Sequence, residues 1–185
     1  MWNAGKHHNG CPFVLTNYLK VKDPKMNEEY FRDKYWGREL QPDKIKNALA
    51  LFFYNGNSFN NRMEDLTSQS IGQGIRRNLV KHYIKRLNEL ADAVKVAVGF
   101  KFYSVSLLLI YDAMVDDENY DNYENPESHF SKKIRLNLID FAKSRFDENL
   151  KETDTDLLTG IENVIKCFKS IEENPEIQPY LSLTS

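Results

Sequence analysis

Apolar and polar positions alternate most regularly between Lys133 and Ser144, where Ile134, Leu136 and Leu138 are separated by Arg135 and Asn137. A period of two is that of a half-buried strand. Asp140 follows where the strand should run out, and a persisting pleat would carry it to the side of the leucines. A carboxylate on an apolar face is costly unless a bound cation, a hydrogen-bond network or a raised pKa compensates. Residues 107–111 (Leu, Leu, Leu, Ile, Tyr) are apolar on both parities, which predicts a strand buried on both faces. Ser104 and Ser106 share a parity at its entrance.

Helical spacing dominates elsewhere. Ile75, Leu79, Tyr83, Leu87, Leu90, Val94 and Val98 advance by three or four, predicting a long helix over 75–98 closed by Gly99. A shorter helix opens at Gln41, Pro42 and Asp43, buries Leu49, Phe52 and Phe53, and ends at Asn55 and Gly56. A last helix over 157–173 buries Leu158, Ile161, Ile165 and Phe168, with Gly160 inside it at a cost of about 1 kcal/mol relative to Ala. The aromatic stretch 30–40 is expected to turn at Gly37, and 13–15 could form a short strand. Residues 57–74 are polar and expected to be a mobile connection, and a charged connection runs from Ser144 through Asp156. Together these elements predict an α+β fold: a mostly antiparallel sheet packed by the 75–98 helix and the C-terminal helix, in a single domain over residues 1–185.

Composition narrows the function classes. With 185 residues, 41% of them hydrophobic, the chain can bury a core of ordinary size. A net charge of -2 gives no reason to expect direct nucleic-acid binding. No apolar run approaches the roughly 20 residues that span a bilayer. The first ten residues contain no apolar run of the kind a secretory signal needs. Cys11 and Cys167 form no C-x-x-C pair, and reduced thiols in an intracellular protein are expected.

Charged clusters each have a plain explanation. Arg76, Arg77, Lys81, Lys85 and Arg86 crowd the first half of the long helix, against its dipole, and a solvated face is expected. His7 and His8 are neighbours, so an extended segment points them in opposite directions. Asp116, Asp117, Glu118, Asp121 and Glu124 lack the Gly and the terminal Glu that a calcium-binding helix-loop-helix requires, and residues 112–130 are expected to form an acidic, disordered loop.

Five segments in order carry a resemblance to one family. Residues 102–112 contain Ser106-Leu107-Leu108 and resemble the S-S-L-L segment of the inositol polyphosphate kinases. Ile139-Asp140-Phe141-Ala142 resembles their I-D-F-A motif, and Lys34 to Arg38 their K-x-x-G-R segment. Residues 48–56 are similar to the helix and N-G turn that follow, and 160–165 to the closing G-x-E-N-L-I helix. The acidic insert is similar to that of fungal inositol polyphosphate multikinases, the first choice of subtype, with the inositol hexakisphosphate kinase as the alternative.

The resemblance implies ATP-dependent phosphoryl transfer to a hydroxyl of an inositol polyphosphate, with Mg2+ as cofactor, ATP as co-substrate and a nuclear and cytoplasmic location. Asp140 would be the magnesium ligand and, with Ser106, the catalytic pair. Lys143 would be substrate-binding, standing where the family usually has His, while Ser144 replaces a common Thr. The family's P-x-x-x-D-x-K-x-G motif does not occur: around Asp23 and Lys25, Leu19 replaces the Pro and Asn27 the Gly. The chain is therefore expected to represent the C-terminal kinase lobe without the N-terminal ATP lobe, and to show little or no turnover by itself. A second class is an interaction module, with the acidic loop docking transcription regulators.

Overall fold

A computed structural model of the protein describes residues 2–3, 14–15, 19–23, 28–54, 74–112 and 133–177. The His7–His8 pair, the Asn55–Gly56 stop, the 57–74 connection (except Gly74) and the acidic loop (except Asp112) lie outside the described residues. In chain order the strands are β1 (Trp2–Asn3), β2 (Val14–Leu15), β3 (Leu19–Asp23), β4 (Glu28–Arg32), β5 (Phe100–Lys101), β6 (Ser106–Tyr111), β7 (Ile134–Ile139) and β8 (Arg145–Phe146). The helices are α1 (Lys34–Glu39), α2 (Ile45–Phe52), α3 (Arg77–Val96) and α4 (Thr155–Glu173). The predicted α+β class is the observed one.

The central sheet has the order β2-β1-β6-β7, and every pair in it is antiparallel. Its β6–β7 register places Leu107 opposite Leu138, Leu109 opposite Leu136 and Tyr111 opposite Ile134. The alternating residues of both strands thus share one face, and that face joins the core. The other face pairs Leu108 with Asn137 and Ile110 with Arg135. β6 is therefore not buried on both faces as its composition suggests: its partner turns polar there, and Ile110 remains 49% exposed. A Lys133–Asp112 ion pair at 3.1 Å and an Asp112 N to Lys133 O bond at 3.0 Å close the far end of the ladder.

Helix α3 begins two residues later than periodicity suggests because Ile75 bridges to Tyr54 and the Arg76 N–H donates to the Phe53 carbonyl at 2.9 Å. Its stripe of Leu79, Tyr83, Leu87 and Val94 is buried, whereas Val98 lies past the helix end and is 44% exposed. The rings of Phe53 and Phe168 meet edge-on at 5.0 Å, and both border Tyr83, so α2, α3 and α4 share one aromatic centre. The basic cluster on α3 is largely structural. Arg77 donates to the carbonyls of Ile171 (2.8 Å), Glu172 (2.6 Å) and Asn174 (3.0 Å) at the C-terminal end of α4. A guanidinium misplaced for its own helix dipole is well placed for the neighbouring one. Arg76 lies over the Tyr111 ring at 5.7 Å, and Arg86 pairs with Glu89 at 2.7 Å.

Two expectations fail locally. Gly37 does not make a turn but lies inside α1, because Asp33 caps that helix by accepting from Tyr35 N at 3.0 Å and Trp36 N at 2.9 Å. The charged connection after Ser144 is not wholly irregular: β8 pairs with β5, Phe100 opposite Phe146 and Lys101 opposite Arg145. Two residues per strand are too few for periodicity to register. Gly99 sits behind this ribbon at φ 84, donating to the Glu152 carbonyl (3.1 Å) and accepting from Asp147 N (2.9 Å).

Candidate active site

The I-D-F-A stretch is where the sheet ends. β7 stops at Ile139, and Asp140 takes the left-handed conformation at φ 68 and ψ 52 before a 3-10 turn over Phe141–Lys143. That single reversal corrects the sequence-based expectation that Asp140 stays on the leucine side. The backbone leaves the pleat, the side chain is exposed, and no burial cost arises. An aspartate tolerates this conformation better than most residues, but the strain is still a feature that a simple turn would not need.

The Asp140 carboxylate makes no hydrogen bond or ion pair with any described residue. Both oxygens are available to a hard cation, and no cluster of three or more His, Cys, Asp or Glu side chains exists among the described residues to compete for one. Such a site suits Mg2+, which keeps several waters and is held by one or two carboxylates together with phosphate oxygens. Lys143 closes the same 3-10 turn, exposed and without a described partner. One turn therefore presents an anion and a cation to solvent three residues apart.

Ser106 occupies a different level. It opens β6 with only 2% of its surface exposed, paired with Asn3 of β1 on one side and Ile139 of β7 on the other. The predicted trio is thus brought to one end of the sheet, with Asp140 and Lys143 at the rim and Ser106 on the rung beneath. Ser104 just upstream also has a positive φ, 58.

Sequence reasoning missed the ribbon that follows. Arg145 donates to the Tyr103 hydroxyl at 2.8 Å, and its guanidinium lies 4.9 Å from that ring's centroid. The hydrogen bond to the Tyr103 hydroxyl, with a smaller contribution from the charge of Asp147, raises the guanidinium's pKa. The remaining signal in the sequence was the pair of aromatic–basic dipeptides, Phe100-Lys101 and Arg145-Phe146, which matter only once the register aligns them.

Comparison with known proteins points to one family. The family profile described as inositol polyphosphate kinase matches residues 16–169, and the chain belongs to that family. Inositol hexakisphosphate kinase 3 of Homo sapiens is 27% identical over 165 residues, covering 80% of this chain and 36% of that protein. Inositol hexakisphosphate kinase 1 of Rattus norvegicus is 31% identical over 173 residues, covering 77% of this chain and 36% of its own length. Among solved structures, an inositol phosphate multikinase of S. cerevisiae in complex with ADP and Mn2+ aligns with a TM-score of 0.55 at 21% identity, over 84% of this chain and 56% of that one. A second inositol phosphate multikinase aligns with a TM-score of 0.58 at 16% identity, over 92% and 77%. The chain thus spans little more than a third of these curated relatives, and its likenesses divide between the two expected subtypes.

Proposed function

We propose that this chain supplies the metal- and phosphate-facing part of an inositol polyphosphate kinase, which moves the γ-phosphoryl group of ATP to a hydroxyl of an inositol polyphosphate. The observation that carries this reading is the Asp140 carboxylate, turned out of the sheet by its left-handed backbone and without a partner among the described residues. The solved relative with ADP and Mn2+ supports a nucleotide and a divalent ion as its ligands. Phosphoryl transfer asks mainly for positioning and charge neutralisation. Bound Mg2+ would supply that neutralisation between nucleotide phosphates, and Asp140 would hold it.

The other residues then take distinct parts. Lys143, on the same turn, is placed to attract an anionic group of either substrate. Ser106, buried on the rung beneath and paired with Ile139, would support the metal–triphosphate unit from there. The rigid ladder beneath Asp140 gives the carboxylate a defined place, which a loop would not.

Binding tests this without requiring turnover. Mg2+ with ATP should raise the melting temperature of the wild-type chain, and Asp140→Asn should abolish that shift while leaving the ligand-free melting temperature close to wild type. An equal shift in both proteins would contradict the kinase role and favour an interaction module.

A further inference from the structure

The β5–β8 ribbon has two chemically different faces. On one, Phe100 meets Phe146 at 4.9 Å and stacks on Phe102 at 5.9 Å, and Phe102 meets Phe141 at 6.2 Å. The opposite face carries Lys101, Tyr103 and Arg145 by the alternation of the strands. Lys101 and Arg145 stand directly opposite each other in the register. Like charges so placed repel and destabilise a strand pair.

No ion pair among the described residues cancels that repulsion. Lys101 reaches only the Thr153 carbonyl, at 3.4 Å, and Arg145 reaches only the Tyr103 hydroxyl and ring. Asp147 favours the Arg145 charge from a distance but turns one carboxylate oxygen to Asn149, accepting from its backbone N at 2.9 Å and its side-chain amide at 3.3 Å. Tyr103 uses one donor of the guanidinium and orients its plane, leaving the other donors outward. The stacked phenylalanines behind fix a ribbon that would otherwise be too short to hold its shape. Two cations facing one another, one of them pre-oriented, form a receptor for a tetrahedral dianion.

We propose that the Lys101–Tyr103–Arg145 face of the β5–β8 ribbon binds a phosphate monoester of a soluble inositol polyphosphate, beside the turn that carries Asp140 and Lys143. The identity of the ligand rests on the kinase reading, whereas the anion site rests on the ribbon alone. A phosphate there neutralises the cross-strand repulsion, so ligand and ribbon stabilise each other. Lys143 lies two residues before Arg145, which lets a ring bearing more than one phosphate engage both.

Calorimetric titration of the full chain with inositol hexakisphosphate, without nucleotide or metal, tests the site. Lys101→Gln with Arg145→Gln should weaken binding by at least about tenfold, the expected loss for two charge-assisted contacts. The same double variant should melt at or above the wild-type temperature without ligand, because the repulsion is gone. Unchanged affinity, or a fall in ligand-free melting temperature that accounts for the loss, would overturn the proposal. So would capture by phosphatidylinositol 4,5-bisphosphate vesicles that excess inositol hexakisphosphate fails to compete. Asp140→Asn should keep this binding, so failure of the metal role and failure of the ribbon site read out separately.

Discussion

The guanidinium of Arg77, in the first turn of one helix, donates to the carbonyl of Ile171, in the last turns of another, at 2.8 Å. With its bonds to Glu172 and Asn174 it occupies acceptors that α4 cannot satisfy internally. Arg77→Ala should cost about 2–3 kcal/mol in urea-unfolding stability, since charge-assisted bonds to part-buried carbonyls are lost together. Arg77→Lys should recover only a fraction, because one ammonium cannot span three carbonyls.

Tyr83 is wholly buried and donates its hydroxyl to the Ile110 carbonyl at 2.7 Å. Burial, with Tyr111 nearby, pushes its phenol well above the usual 10.0. The sign follows: the unfolded chain ionises first, so stability is unaffected below pH 10 and falls as pH rises from there toward the folded-state value. Tyr83→Phe should lose about 1 kcal/mol at neutral pH through the missing hydrogen bond, yet show a flatter decline in melting temperature above pH 10.

Gly99 tests the ribbon's foundation. A Cβ there would lie 2.8 Å from the Asp147 carbonyl oxygen and 2.8 Å from the Phe146 ring, at φ +84. Gly99→Ala should destabilise the chain by about 1–2 kcal/mol, measured by chemical denaturation, and weaken inositol hexakisphosphate binding by displacing β8 from β5.

The sheet and the two long helices were legible because their apolar periods are long enough to be unambiguous. The β7 alternation from Ile134 to Leu138 survives in the observed register, and Leu79, Tyr83, Leu87, Ile161 and Phe168 are buried. What was not legible depends on partners distant in sequence. Nothing local marks Arg77 as a cap for carbonyls that begin 94 residues later. Ile110 looks like core until its partner strand supplies Arg135 opposite it. Asp140 stands out in the sequence as a carboxylate at a strand end, but a pleat extrapolated one residue too far put it on the wrong side. Its positive φ is a tertiary decision that periodicity does not encode.

That strained backbone separates function from stability. Asp140→Gly should raise stability by about 1 kcal/mol, because glycine adopts the left-handed region freely, while removing the metal ligand. A thermal melt rising as Mg2+-dependent nucleotide binding disappears would mark the residue as one kept for chemistry.

The most direct measurement is a titration of the full chain with Mn2+ and ADP, followed through paramagnetic broadening of backbone amide signals. The account predicts broadening centred on residues 139–143 in the wild type and its loss in Asp140→Asn, with the rest of the spectrum unchanged. Broadening centred elsewhere, or persisting undiminished in the variant, would contradict it.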